Sequence, residues 1–138
     1  MRRGNLRGGQ YSKRLGTARP KPGSRRFLIA ELDRVTSLIV RKRDNFRCVL
    51  CGSTYEPQAG HIFKRGLLAV RWSLENIWTQ CSGCNVRHNV RPEIYMTWAI
   101  KKLGCEVFAA LRDRAFSEKR FEVWELEVKL DELKEMLK

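Results

Sequence analysis

Two cysteine pairs of identical spacing constrain this chain more than any other feature. Cys48-x2-Cys51 and Cys81-x2-Cys84 are separated by 29 residues. Two cysteines with two residues between them form a knuckle that offers both sulfurs to one ion, and zinc takes four soft ligands in a tetrahedron. The chain has 138 residues, the size of one small domain with appendages, and domains this small often need a staple. Four protein ligands close the coordination shell, so the expected zinc holds the fold rather than doing chemistry. The second pair stands just before a stretch that reads as a helix, whose N-terminal dipole favours thiolate. Disulfides or unliganded core thiols are the alternative use of the four. The N-terminus is basic but has no apolar h-region, so it does not read as a secretory signal, and disulfides are disfavoured. Cys105 lies outside the pattern in the apolar setting "LGCEV" and reads as a buried core cysteine.

The formal net charge is +13, unevenly placed. Residues 1–116 hold 23 Lys and Arg against 8 Asp and Glu, and residues 117–138 hold 5 against 7. A field this positive attracts polyanions, of which nucleic acid is the commonest. A merely solvated basic surface, or an anionic membrane surface, are the other readings. No apolar run reaches the ~18 residues a membrane-spanning helix needs. Residues 1–26 carry nine Lys and Arg, no acid, and punctuating Gly and Pro. They read as a flexible basic arm that tracks phosphates, or as a solvated tail.

Periodicity supplies the rest of the frame. Leu28, Leu32, Val35, Leu38 and Ile39 recur at helical spacing and predict a helix over about 28–43. Residues 46–72 are short, glycine-punctuated and β-branched, and predict a small hairpin. Pro92 suits the first turn of a helix, and apolar residues from Ile94 to Leu111 supply one or two helices. In 117–138, Ser117 is the expected N-cap. Val123, Leu126, Leu130, Leu133 and Leu137 form a seam two heptads long. That seam fits either packing on its own domain or a homodimer.

His61 falls between the two knuckles, after a predicted strand and before the basic turn "KRG". A neutral imidazole there can take a proton from a water that attacks a phosphodiester, with a cation stabilising the developing charge. The surrounding residues carry a resemblance. "AGH…LENIWTQCSGCN" resembles the HNH, or ββα-metal, nuclease motif. "LIVRKRDNFRCVLCG", "QAGHIFKRG", "VRWSLENIWTQCSGCN" and "YMTWAIKKLGCEVFAAL" follow, in order, the pattern of the phage NinG/Rap recombination endonucleases over roughly residues 38–111.

The resemblance implies an α+β fold: a small zinc-stapled treble-clef or ββα-metal core at 27–116, flanked by helices, the arm 1–26 and an amphipathic helix in 117–138. It implies a branch-directed DNA endonuclease that cuts Holliday junctions and D-loops with Mg²⁺ or Mn²⁺ in the cytoplasm of a phage-infected bacterium. His61 would be the general base, Asn76 the brace of the ββα loop, and Asn85 a ligand of the catalytic ion. Read without the family, Asn76 is an ordinary turn residue and Asn85 an N-cap. His88 and Asn89 lie one turn past Asn85, so His88 is a second candidate ligand, or a phosphate contact, or a solvent-facing residue.

The chain departs from the common nuclease patterns at two places. Many HNH sites carry Asp or His where this chain, like the NinG/Rap pattern, has glycine, Gly60. The NinG/Rap pattern tends to carry Asp where it has Gln58, and a neutral amide binds a hard cation less well than a carboxylate. Lys64, Arg65 and Arg71 flank His61 as candidate phosphate contacts, and Arg41, Lys42, Arg43 and Arg47 widen that platform. Two further readings stand beside the junction nuclease: a general HNH nicking or double-strand nuclease, and a zinc-stapled DNA-binding module without catalysis.

Overall fold

The structure is a computed structural model that describes residues 18–138. The greater part of the expected arm, residues 1–17, lies outside the described residues. The fold is a small α+β arrangement of five α-helices around a two-stranded antiparallel sheet, counted among the described residues. None of these helices is long and apolar enough to cross a membrane.

Helix α1 (Arg25–Arg43) starts three residues before the periodicity suggested. Ser24 is its N-cap, accepting from the Phe27 N–H at 3.2 Å, so the last two arm residues are helical. Leu28, Leu32, Val35 and Ile39 form its buried stripe, as their spacing predicts. That stripe packs on Leu126, Leu130 and Leu133 of the last helix, α5 (Val123–Glu135), with Trp72 in the same cluster. The leucine seam is therefore covered within the chain. Trp124 and Val128 of α5 remain exposed.

Ser117 does not cap α5. Its hydroxyl donates back to the Arg114 carbonyl at 2.6 Å, and Glu122 is the N-cap in a reciprocal pairing with Glu125. Carboxylates three apart satisfy two orphan N–H groups at once, which a lone serine five residues earlier cannot do.

The sheet corrects the expected hairpin within 46–72. Strand β1 (Gln58–His61) pairs with β2 (Ile77–Gln80), beyond the long loop 62–76, in the register Gly60 to Trp78 and His61 to Ile77. The segment between the first knuckle and β1 is irregular. Helix α2 (Ser82–Val90) follows β2 at once, then α3 (Pro92–Leu103), with Pro92 in its first turn, and α4 (Cys105–Ala115). Gly104, at φ 84°, separates the last two; a backbone turned this way favours glycine. Ile62, Phe63 and Val70 of the loop pack with Tyr95, Ala99, Leu111 and Ala115 in a second core. The Tyr95 hydroxyl donates to the Gly60 carbonyl at 2.8 Å and locks α3 to β1.

Cys105 is exposed, not buried as its neighbours suggested. It opens α4 directly after Gly104, and the apolar contacts of that helix are made by Leu111 and Ala115 on another face.

Candidate functional site

The four spaced cysteines converge. The Sγ atoms of Cys48, Cys51, Cys81 and Cys84 all lie within 4.8 Å of one another, and Cys51 and Cys81 are 3.6 Å apart. None is in a disulfide. A zinc ion with Zn–S bonds of about 2.3 Å sets sulfurs about 3.8 Å apart, so the donor set fits that ion. The first knuckle is closed by the Gly52 N–H donating to the Cys48 carbonyl at 2.8 Å, with Gly52 at φ 76°. The second sits on the start of α2, where the Cys81 sulfur caps the helix by accepting from the Cys84 N–H at 3.4 Å. Burial pushes the Cys48 thiol up, yet N–H groups of Cys81, Cys51 and Leu50 outweigh it and bring it down to about 7. Burial and the three neighbouring sulfurs push Cys84 up. Four thiols this close cannot all ionise without a cation between them.

His61 ends β1 at the wall of an open groove. Its Nε2 lies 3.0 Å from the Arg71 carbonyl oxygen. A carbonyl only accepts, so Nε2 carries the proton and Nδ1 keeps its lone pair. Burial holds the imidazole below the ordinary histidine value, against the opposing pull of the carbonyl and of Asp33. The ring is thus neutral near pH 7 and available as a base.

Asn76 is fully buried at the far end of the 62–76 loop. Its Oδ1 accepts from the Phe63 N–H at 2.8 Å, and its Nδ2 donates to the carbonyls of Phe63 at 3.0 Å and Val70 at 3.1 Å. One side chain therefore ties both ends of the loop and the residues just after His61. Asn76→Ala leaves the buried N–H and carbonyl of Phe63 without partners and the Val70 carbonyl with the Ser73 N–H alone. It should lower stability by roughly 2–4 kcal/mol in urea unfolding while zinc content stays the same. A loss under about 1 kcal/mol would mean that water replaces the amide.

Asn85 lies in the second turn of α2 and is not a cap, because Cys81 holds that position. Its Nδ2 donates to Gln58 Oε1 at 2.8 Å, joining α2 to β1 across the groove. His88, one turn on, also lines the groove, set edge-on to Tyr95 with ring centroids 5.0 Å apart, and its Nδ1 is buried without a partner. Gln80 fills the space beside Gly60: a Cβ there would fall 2.1 Å from Oε1 of the buried Gln80. A side chain just before His61 would have to displace the Gln80 side chain.

The cationic candidates divide. Arg41, Lys64, Arg65 and Arg71 line the groove with His61, Asn85 and His88. Lys42, Arg43 and Arg47 are not among its walls. Arg43 is committed elsewhere. It pairs with Asp44, donates to the carbonyls of Leu74 and Ile77, and lies 3.8 Å over the Trp78 ring. Arg71 also has a fixed partner that the sequence did not suggest. Asp33 of α1 accepts from Arg71 through both oxygens, at 3.0 and 2.7 Å, and from the Trp72 indole N–H at 2.8 Å. Burial works against its ionisation, but these bonds outweigh it and hold the carboxyl below its usual range. An acid beside the buried stripe of a basic chain was the only local signal, and it could not identify a partner 38 residues away.

The family model described as "Bacteriophage Lambda NinG protein" matches residues 10–138. No curated protein and no solved structure matches the chain.

Proposed function

The chain belongs to the bacteriophage lambda NinG family, and from that premise we propose that it is a metal-dependent endonuclease of the ββα-metal (HNH) type that cuts branched DNA. The observation that carries the reading is the state of His61. Its Nε2 is tied to a backbone carbonyl, its Nδ1 has no partner among the described hydrogen bonds, and the residue lines a groove with Arg41, Lys64 and Arg65. The order strand, loop, strand, helix supports it too, since it brings His61, the loop brace Asn76 and Asn85 together from three separate elements.

In this reading the cations of the groove hold a phosphodiester by its charge. Nδ1 of His61 takes a proton from water as the water oxygen bonds to phosphorus. The bond from phosphorus to the departing strand breaks, and that oxygen leaves with a proton from solvent. The Arg71 carbonyl steadies the imidazolium that forms, because Nε2–H donates to it throughout. Asn85 and His88, three residues apart on the groove face of α2, are the side chains that would hold a Mg²⁺ or Mn²⁺ ion. Such an ion stabilises charge on the phosphate and the leaving oxygen. Both donors are neutral, so the ion would be held weakly and in part by the substrate's own phosphate.

Branch selectivity is inferred from the family resemblance alone, and a zinc-stapled DNA-binding module is the second reading. One observation favours that second reading: among the described residues lining the groove, the one carboxylate is Asp33, and it is spent on Arg71 and Trp72. A labelled four-way junction beside a matched duplex, with and without Mg²⁺ or Mn²⁺, tests the proposal. Metal-dependent cleavage of the junction at least about tenfold faster than of the duplex is expected. Equal cleavage of both would make this a general nicking or double-strand nuclease, and binding without cleavage under either metal would favour the module.

A further inference from the structure

We propose that Asp33 is a positioning residue for His61, acting through the backbone of Arg71 to fix which imidazole nitrogen is the base. The kinetic part of this inference rests on the nuclease reading; the structural part does not.

The chain of contacts is short. The Asp33 carboxylate grips two consecutive side chains, the guanidinium of Arg71 at 2.7 and 3.0 Å and the indole N–H of Trp72 at 2.8 Å. Charge-assisted and bidentate bonds of this kind are the strong ones, and they fix direction as well as distance. Trp72 is itself buried in the α1–α5 core. The peptide between these two residues contains the Arg71 carbonyl, the sole partner that holds His61 Nε2–H among the described contacts. It stands at the end of the 3₁₀ turn Leu68–Val70, in a loop with no strand of its own to hold it. A carbonyl that rotated away would free Nε2, and the proton would then distribute between the two ring nitrogens. Asp33 comes from α1, whose stripe of Leu28, Leu32, Val35 and Ile39 is buried in the core, so it references the position of the loop to the core.

A role as a simple surface ion pair does not fit. Arg71 and Asp33 side chains keep only 16% and 26% of their exposure, and the indole bond adds a third contact that charge pairing alone does not require. Three of the roughly four lone-pair sites of the Asp33 carboxylate are taken by Arg71 and Trp72.

The chain has only two histidines, so long-range ¹H–¹⁵N spectra of the zinc-loaded protein resolve each ring. In the wild type, His61 is expected as a single Nε2–H tautomer. Asp33→Asn keeps the size of the side chain but puts an amide N–H where Arg71 also donates. It should convert His61 to a mixture of tautomers while leaving His88 unchanged. A His61 that stays fully Nε2–H in Asp33→Asn overturns the proposal. If Asp33→Asn does not fold around zinc, Trp72→Phe, which removes the indole bond and keeps an aromatic ring in the core beside Phe121, is measured in its place. A His61 that stays fully Nε2–H in that variant overturns the proposal equally.

Kinetics give an independent arm. A sub-ångström misplacement of a base lowers rate steeply, so Asp33→Asn should cut junction cleavage by about 10–100-fold with affinity for the junction held within about twofold. In a His61→Ala background the same substitution should add nothing. A further loss there would show that Asp33 works on DNA or metal directly, and would overturn the positioning role. A wild type that cleaves no DNA at all would sink the nuclease reading, and the tautomer spectra would still decide the role of Asp33.

Discussion

Cys81→Ser is expected to unfold the protein's zinc core, not merely to slow a reaction. Serine caps helices at least as well as the cysteine sulfur that now accepts the Cys84 N–H. The substitution therefore leaves the start of α2 satisfied and removes only a soft ligand. Little else holds the first knuckle: residues 47–57 have no helix or strand, and Cys48 is their one fully buried residue. The knuckle is fastened by the Val49 N–H to the Thr79 carbonyl and by its own turn, and an ion shared by the four sulfurs would add the strongest tie. Structural zinc supplies apparent binding free energies of ~10–16 kcal/mol, against a net stability of ~5–15 kcal/mol for a whole domain. Losing one of four ligands removes enough of that to cost the cooperative transition. Thermal unfolding followed by circular dichroism, with zinc content measured on the same sample, checks it. Zinc removal by a strong chelator should reproduce the effect in the wild type. Intact cooperative melting of Cys81→Ser near the wild-type temperature would mean that the two apolar cores suffice alone.

The second large effect is on chemistry. His61→Ala should lose DNA cleavage by about 10²–10⁴-fold, the usual contribution of a general base. It should keep zinc, fold and most of its affinity for the junction. The ring's hydrogen bond is to a carbonyl at the groove wall, and its removal touches neither the knuckles nor a cation. The pH profile sharpens the test. Burial lowers the pKa of His61, so the neutral, active form persists below the ordinary histidine value of about 6.5. The wild-type rate should therefore fall on the acid side only below about pH 6.5, and the residual activity of His61→Ala should lack that limb. Asn85→Ala should also lose cleavage, with partial recovery at high Mg²⁺ or Mn²⁺, because its defect lies in holding the ion. Full activity in His61→Ala would remove the HNH assignment and leave the binding module as the better reading.

By itself the sequence determined whatever depends on short spacing. A pair of cysteines two residues apart has the spacing of a knuckle, and the four sulfurs of two such pairs come together in a cluster that fits one ion. Leucines at three and four make the stripe of α1, and Pro92 marks the first turn of α3. His61 was legible as a candidate because it stands between the knuckles in a motif that resembles a known nuclease pattern. What the tertiary structure decided are the pairings between residues far apart, which no local periodicity encodes. Strand β1 found its partner beyond the 62–76 loop, so the expected hairpin within 46–72 did not form. Arg43 and Arg71, plausible phosphate contacts by residue type, are held by Asp44 and Asp33. A cation's availability depends on which acid reaches it, and that is set by packing. The leucine seam of α5 lies on α1 because two amphipathic stripes in one chain meet at a far higher effective concentration than two copies do. The tautomer of His61 is the clearest case: the residue is written in the sequence, but which of its nitrogens can act is decided by a carbonyl ten residues away.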